Sequence, residues 1–437
     1  MASTYLSRTP ASSGSSSVLT YSFWTKRSGL GVLSPFLSGG NSGTVGQIVF
    51  SASDQLNIYN GASVIATTNA KFRDTSAWYH IVISLNSSET GTDKCKIWIN
   101  GVQETSFATD NRSTFTTISQ VNQSGIVQYV GSDTTGYVNG LMSHIHMVDG
   151  TAYDASAFGE TDATTGIWKP KLSPSVTYGT NGFFLKFNEG ALGTDSSPNG
   201  NNFTVNGSLT PTKDTPENVF ATLNSEYSNV AGLTFSNGNN TITNSGAWKS
   251  SISTLGMQKG KWYCEVKLIS GTNHSLGVIE YSGSSSDSYY NGANIDNQGL
   301  IGGYGKNWGW YVWTGSFRYG ANVELTTGNT LGVGDIAQIA LDYDNGKIWF
   351  GKNGTWENSG DPANGTNPIF SGITFTDATF FAFGPENASD SVNFGNGYFG
   401  TTPVSSATSD ESGLGIFEHT VPNGYNCLCT KNINTYG

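Results

Sequence analysis

The chain has 437 residues, a formal net charge of −11 and 12% charged residues, half the share of about 25% usual in soluble domains. The length allows roughly two or three domains, each able to bury a core. The acidic balance argues against a nucleic-acid partner, which requires a Lys/Arg stripe to neutralise phosphates, and against docking on anionic lipid. No apolar run approaches the ~18 residues of a membrane span, and the first eight residues lack the apolar stretch of a secretory leader. With 56 glycines, 12% aromatics and abundant Asn, Ser and Thr, the composition predicts short strands joined by tight turns rather than disorder.

Strand patterns recur along the chain and long helical ones do not. Tyr79, Ile81, Ile83 and Leu85 alternate onto one face, as do Cys95, Ile97 and Ile99 before Asn100-Gly101. Asn-Gly supplies the positive φ pair of a type I′ hairpin. Phe183, Leu185 and Phe187 predict another one-sided strand. Asp195 to Gly200 reads as a turn and 203–205 as a last strand. Residues 210–216 then carry Pro211 and Pro216 and nothing apolar, so they form a linker. The pattern restarts with Trp262, Cys264, Val266 and Leu268. It recurs with Ala337, Ile339, Leu341 and Tyr343, then the turns Asp344-Asn345-Gly346 and Asn353-Gly354. The expected fold is all-β: two tandem antiparallel β-sandwich domains, 1–212 and 213–405, followed by a C-terminal tail, 406–437.

Little in the chain invites catalysis. Carboxylates that cut a glycosidic bond by the retaining route stand about 5–5.5 Å apart, yet Glu265, Glu280 and Glu324 have no acidic neighbour at i+2 or i+4. No nucleophile elbow or phosphate loop is present, and Gly302-Gly303-Tyr304-Gly305 reads as a turn. No catalytic residue, resident metal or cofactor is expected. His144 and His146 share a strand face, where a metal pair is the sharper reading and a packed strand the plainer one. Asp54, Asp149 and Asp195 are turn residues first and calcium ligands second. Cys95 and Cys264 fall in strands as small apolar side chains. Cys427 and Cys429 form the one close pair, read as structural thiols ahead of metal or redox chemistry.

The candidate binding residues are aromatic. Alternation puts Trp308 and Trp310 on one face with Val312, and Tyr311 and Trp313 on the other, while Tyr289 and Tyr290 lie in a Ser/Gly-rich loop. Sugar rings stack on exposed aromatic faces; the alternative is that half of these side chains are core and the rest meet a neighbouring subunit.

Four groups of residues carry resemblances. Phe23 to Ser28, Trp78 to Val82 and Lys96 to Gly101 resemble a laminin-G/concanavalin-A-like domain. The run Gly140 to Ala152, continuing through Phe158-Gly159-Glu160-Thr161, resembles a subgroup common in phages of marine and freshwater bacteria. Gly260 to Val266, Leu341 to Phe350 and Lys352 to Trp356 resemble a SPRY domain, and Val421 to Asn432 is similar to the ending of those phage proteins. These resemblances imply a jelly-roll, concanavalin-like domain followed by a SPRY domain. They imply a non-enzymatic protein on the outer surface of a virion, a tail fibre, appendage or receptor-binding adhesin for host-surface polysaccharide. The alternatives are a capsid or tail decoration protein making only protein contacts and, further off, a polysaccharide depolymerase or an extracellular lectin. The implied partners are other virion proteins, with no nucleic acid and no membrane insertion. A homo-oligomer, such as a trimer, is the expected assembly.

Overall fold

The computed structural model describes residues 4–40, 45–133, 135–163, 165–226, 232–281, 301, 306–320 and 323–437. The chain divides into two compact units, Met1–Pro211 and Thr212–Gly437. Each is built from two antiparallel sheets.

In the first unit, Val18–Arg27 pairs with Trp78–Asn86 along its full length. Leu19 lies opposite Leu85, Tyr21 opposite Ile83 and Phe23 opposite Ile81. The side-chain period of two sends all six to one face, where they meet Phe36, Ile48, Phe50 and Ile58 of the eight-stranded sheet. The hairpin at Asn100-Gly101 has the geometry its residues demand: φ is 49° and 83°, and Ile99 pairs with Val102 across a two-residue loop. The strand expected to run through Phe187 stops at Leu185, because Phe187 enters the left-handed region at φ 58°. Its side chain still packs against the core.

The other face of the six-stranded sheet carries a third layer. Val82, Val148, Phe158, Tyr178 and Phe184 form a second apolar cluster, and the histidines belong to it. Trp168 Nε1 donates to His80 Nδ1 at 2.9 Å, so His80 holds its proton on Nε2 and gives it to Ser22 Oγ at 2.8 Å. His80 is therefore turned the wrong way to deprotonate Ser22. Burial, then His144, pushes its pKa down to about 3. His146 stacks on Phe184 at 3.8 Å and bonds Tyr178 through Nδ1. His144 sits at a bulge, at φ 45°, with Nδ1 2.7 Å from Ser143 Oγ. No group of three metal-binding side chains occurs among the described residues. The candidate calcium ligands are also engaged: Asp54 by Arg27 and Arg73, Asp149 by Ser15 and Asn122, and Asp195 by Phe184 and Asn201 backbone N–H groups.

In the second unit, Lys261–Ser270 lies at the centre of the larger sheet, between Ile336–Asp342 and Ala388–Asn393. Trp262, Cys264, Val266 and Leu268 all face inward against Leu276, Val278 and Trp310 of the six-stranded sheet. Asn353-Gly354 closes a two-residue turn with φ 48° and 87°. Asp344-Asn345-Gly346 belongs to a four-residue loop between Asp342 and Lys347, in which Gly346 alone takes positive φ.

Residues 406–437 are not a tail appended to a finished domain. They lie across the outer face of the larger sheet, where Phe417, Val421, Tyr425, Cys427 and Cys429 cover Tyr263, Ala340 and Trp349. Asn426–Cys427 extends the sheet beside Trp262 and Tyr263 in parallel register. Glu265 fastens the strap: its carboxylate accepts the backbone N–H groups of Glu418 and His419 at 2.9 and 2.8 Å and the Tyr263 hydroxyl at 2.9 Å. Burial nevertheless pushes the Glu265 carboxyl up to about 7. The physical reason for this packing is apolar area. A sheet presenting Tyr263 and Trp349 outward needs a cover, and each side chain so buried contributes about 1.5–3 kcal/mol.

Candidate binding groove

Asn307–Tyr311 runs between Asn273–Glu280 and Ser316–Tyr319 in the six-stranded sheet. Trp310 points into the sandwich, stacked on Phe317 at 5.2 Å and edge-on to Phe350 at 6.0 Å, with 0% exposure. It is core and cannot meet a ligand. Tyr311 points the other way and is 3% exposed. Trp313 stacks on it at 4.9 Å and in turn tilts against Trp248 at 5.0 Å, while the Arg318 guanidinium lies 4.9 Å from the Tyr311 ring centroid. Tyr311 is thus sealed by its neighbours, and Trp313 is half-buried within the same stack. Tyr289 and Tyr290 lie outside the described residues.

Trp308 differs. It shares the inward direction of Trp310 but lies two residues nearer the end of the strand, where the sandwich opens. There it is half-buried, edge-on to Phe375 at 5.3 Å. It lines an open groove of about 490 Å³ together with Lys306, Glu280, Tyr319, Leu325 and Phe370. Tyr319 and Leu325, 39% and 51% exposed, form the apolar rim. The polar wall is a fixed ion pair. One Glu280 oxygen, Oε1, accepts from Lys306 Nζ and Thr376 Oγ1, both at 2.7 Å, and from the backbone N–H groups of Thr376 and Asp377, both at 3.0 Å. Burial raises the Glu280 pKa, but the bonds from Lys306 and Thr376 outweigh it and hold the carboxyl below its usual range. The second oxygen, Oε2, is buried without a partner among the described residues. The Lys306 side chain is 52% exposed.

The groove therefore offers an indole, an apolar rim and a charged pair whose net charge is zero. That set suits a ligand with a flat apolar face and hydroxyl or amide groups at its edge. Among the described residues that line it, Glu280 is the one carboxylate; Glu265 is bound under the strap, and Glu324 pairs with Arg318 at 2.8 Å. Of the four proposed aromatics that lie among the described residues, Trp308 lines the groove. Lys306 could have been read from sequence, since alternation puts 306 on the same side as 308. Glu280, Phe370 and Leu325 come from distant parts of the chain, and nothing local marks them.

The sandwich just described has a counterpart among known families. The SPRY domain family matches residues 261–397. Residues 261–397 are a SPRY domain. The match spans the four strands that carry Glu280, Trp308, Tyr319 and Leu325 and the hairpin at Asn353-Gly354. Among solved structures, the SPRY domain of human HERC1 is 15% identical, with 39% of this chain and 96% of that one covered, at a TM-score of 0.30. A second human SPRY domain is 16% identical over 37% and 94%, at 0.28, and the TRIM65 PSpry domain 17% identical over 40% and 88%, at 0.30. No curated protein matches the chain. A SPRY domain is a binding module, so residues 261–397 are a binding unit.

Proposed function

We propose that the chain is a non-enzymatic protein of the outer surface of a phage virion, a receptor-binding adhesin or tail appendage, held by other virion proteins. It recognises uncharged host-surface glycan in the groove beside Trp308. The observation that carries this reading is the groove itself, where a half-buried indole stands next to a neutral Lys306–Glu280 pair. A sugar ring laid on the indole would keep its hydroxyls within reach of that pair. The overall charge of −11 repels polyanions and leaves neutral ligands favoured. The resemblance of residues 140–161 and 421–432 to phage proteins supports the virion setting.

The test is binding of the full chain to whole host cells and to extracted surface polysaccharide, with released sugar assayed in the same samples. Saturable binding without release, lost in Trp308→Ala, is the expected result. Binding that survives Trp308→Ala would remove the groove from the account, and released sugar would make the chain a depolymerase.

A second reading, a decoration protein making only protein contacts, is favoured by Val323–Thr327. All five residues of this strand are exposed at the sheet edge, with Val323 46% and Leu325 51% exposed. Exposed edge strands are prone to pair with another chain. Absence of binding to cells and polysaccharide, with many copies per particle, would decide for this reading.

A further inference from the structure

We infer that Cys427 and Cys429 form a thiol–disulfide exchange site, in which a small-molecule disulfide oxidises the pair to an intramolecular Cys427–Cys429 bond inside the C-terminal strap. Their sulfurs are 3.7 Å apart. An ordinary extended strand would hold i and i+2 side chains on one face without drawing them together. Here the backbone does more: Cys429 N–H donates to the Cys427 carbonyl at 3.1 Å, a three-residue turn at Leu428 that brings the two side chains toward each other. Asp410 holds the Cys427 N–H at 2.8 Å, and the Asn432 amide reaches both the Cys427 carbonyl, at 3.0 Å, and its sulfur, at 3.1 Å.

The two thiols are not equivalent. Cys427 S–H donates to Cys429 Sγ. That bond, with help from the Asn432 backbone N–H and the Asn218 side chain, favours the thiolate at Cys429 and lowers its pKa, while the same contact raises that of Cys427. Cys429 is therefore the attacking sulfur. Its thiolate attacks one sulfur of the small disulfide, forming a mixed disulfide and expelling one small thiolate. Cys427 then loses its proton and attacks the Cys429 sulfur, expelling the second small thiol. Two electrons pass to the small disulfide, and the protein keeps one S–S bond in place of two S–H bonds.

The product suits the site. A disulfide is neutral, whereas a lasting thiolate among Phe220, Phe417 and Tyr425 would bear the cost of a buried charge. Access comes through the short helix Thr430–Tyr436, whose N-cap is Cys429 and which is mostly exposed and buries only Asn432. A short, largely exposed helix of this kind opens locally without global unfolding. The remaining cysteines, Cys95 and Cys264, are buried singly in the two sandwich cores. Burial pushes the Cys95 thiol up to about 12 and the Cys264 thiol well above its ordinary value. They are internal controls.

The experiment exposes the native, reduced full chain to oxidised glutathione in mildly alkaline buffer, quenches in acid, alkylates under denaturing conditions and maps the peptides by mass. The expected result is loss of two of the four alkylatable thiols, with a single peptide holding both Cys427 and Cys429 two hydrogens lighter and Cys95 and Cys264 fully alkylated. Cys427→Ser should stop at a glutathione adduct on Cys429, and Cys429→Ser should leave Cys427 alkylatable. Four alkylatable thiols after exposure, a wild-type chain that halts at the mixed disulfide, or a bond mapped to any other pair would overturn the inference. The wild-type map decides even if a serine variant fails to fold.

Discussion

Trp310→Ala and Trp308→Ala, two residues apart on one strand, should behave as opposites. Trp310 is wholly enclosed between Phe317 and Phe350. Truncating such a residue costs about 3–5 kcal/mol through lost transfer energy and the cavity left behind. Its indole N–H finds no acceptor among the described residues, so part of the desolvation cost is recovered, and the lower end, about 3 kcal/mol, is the better expectation. For a unit of this size that lowers the midpoint by about 6–12 °C. Trp308 loses mainly its contact with Phe375 and should cost about 1 kcal/mol, or 2–4 °C. Its removal should weaken retention on polysaccharide about tenfold, the equivalent of 1.4 kcal/mol of lost stacking. Calorimetry of the full chain, following the transition of residues 212–437, and retention of the same samples would settle both halves. A Trp310→Ala chain that melts within a degree of the wild type yet no longer binds would refute the assignment of Trp310 to the core.

Deleting residues 406–437 should abolish the cooperative transition of the second unit and leave that of the first, because it strips the cover from Tyr263 and Trp349; a truncated chain that keeps both transitions would return the segment to the status of a tail. His80 and His146 are buried neutral with pKa values below their ordinary 6.5. The unfolded chain therefore binds protons that the folded one refuses, and as pH falls from about 6.5 to 5 the first unit should lose about 1.6 kcal/mol through His80, with His146 acting in the same direction. A transition of the first unit that stays level over that range in calorimetric scans would contradict their burial as neutral rings. Gly101→Ala should destabilise the first unit by about 1–2 kcal/mol, since φ is 83° and a Cβ would stand 2.8 Å from the Trp168 ring; denaturant midpoints would show it, and an unchanged midpoint would count against the observed turn.

What could be read locally was read from local signals. Alternation placed Trp262, Cys264, Val266 and Leu268 on one face, and they are all core. Asn-Gly pairs at 100–101 and 353–354 closed their hairpins as their φ preferences require. Alternation also divided the ribbon at 308–313 into its two faces. Period-two patterning reports direction and nothing about depth, which is why it could not separate Trp310 from Trp308. That difference depends on where the strand leaves the sandwich.

The rest depended on contacts between residues far apart in the chain. Glu280 meets Lys306 and Thr376, and the segment ending the chain covers a sheet whose central strand begins at Lys261. Residues 406–437 look loose because their apolar residues are spaced by glycines, prolines and turns rather than by a strand period. Their order comes from Tyr263, Trp349 and the Glu265 carboxylate, which they meet only in the folded chain. The all-β class and the turn positions were thus determined by the sequence alone, since they rest on side-chain direction and backbone preference. The groove, the strap and the close approach of the two thiols were decided by the tertiary structure, since each is a distance between residues that no local pattern encodes.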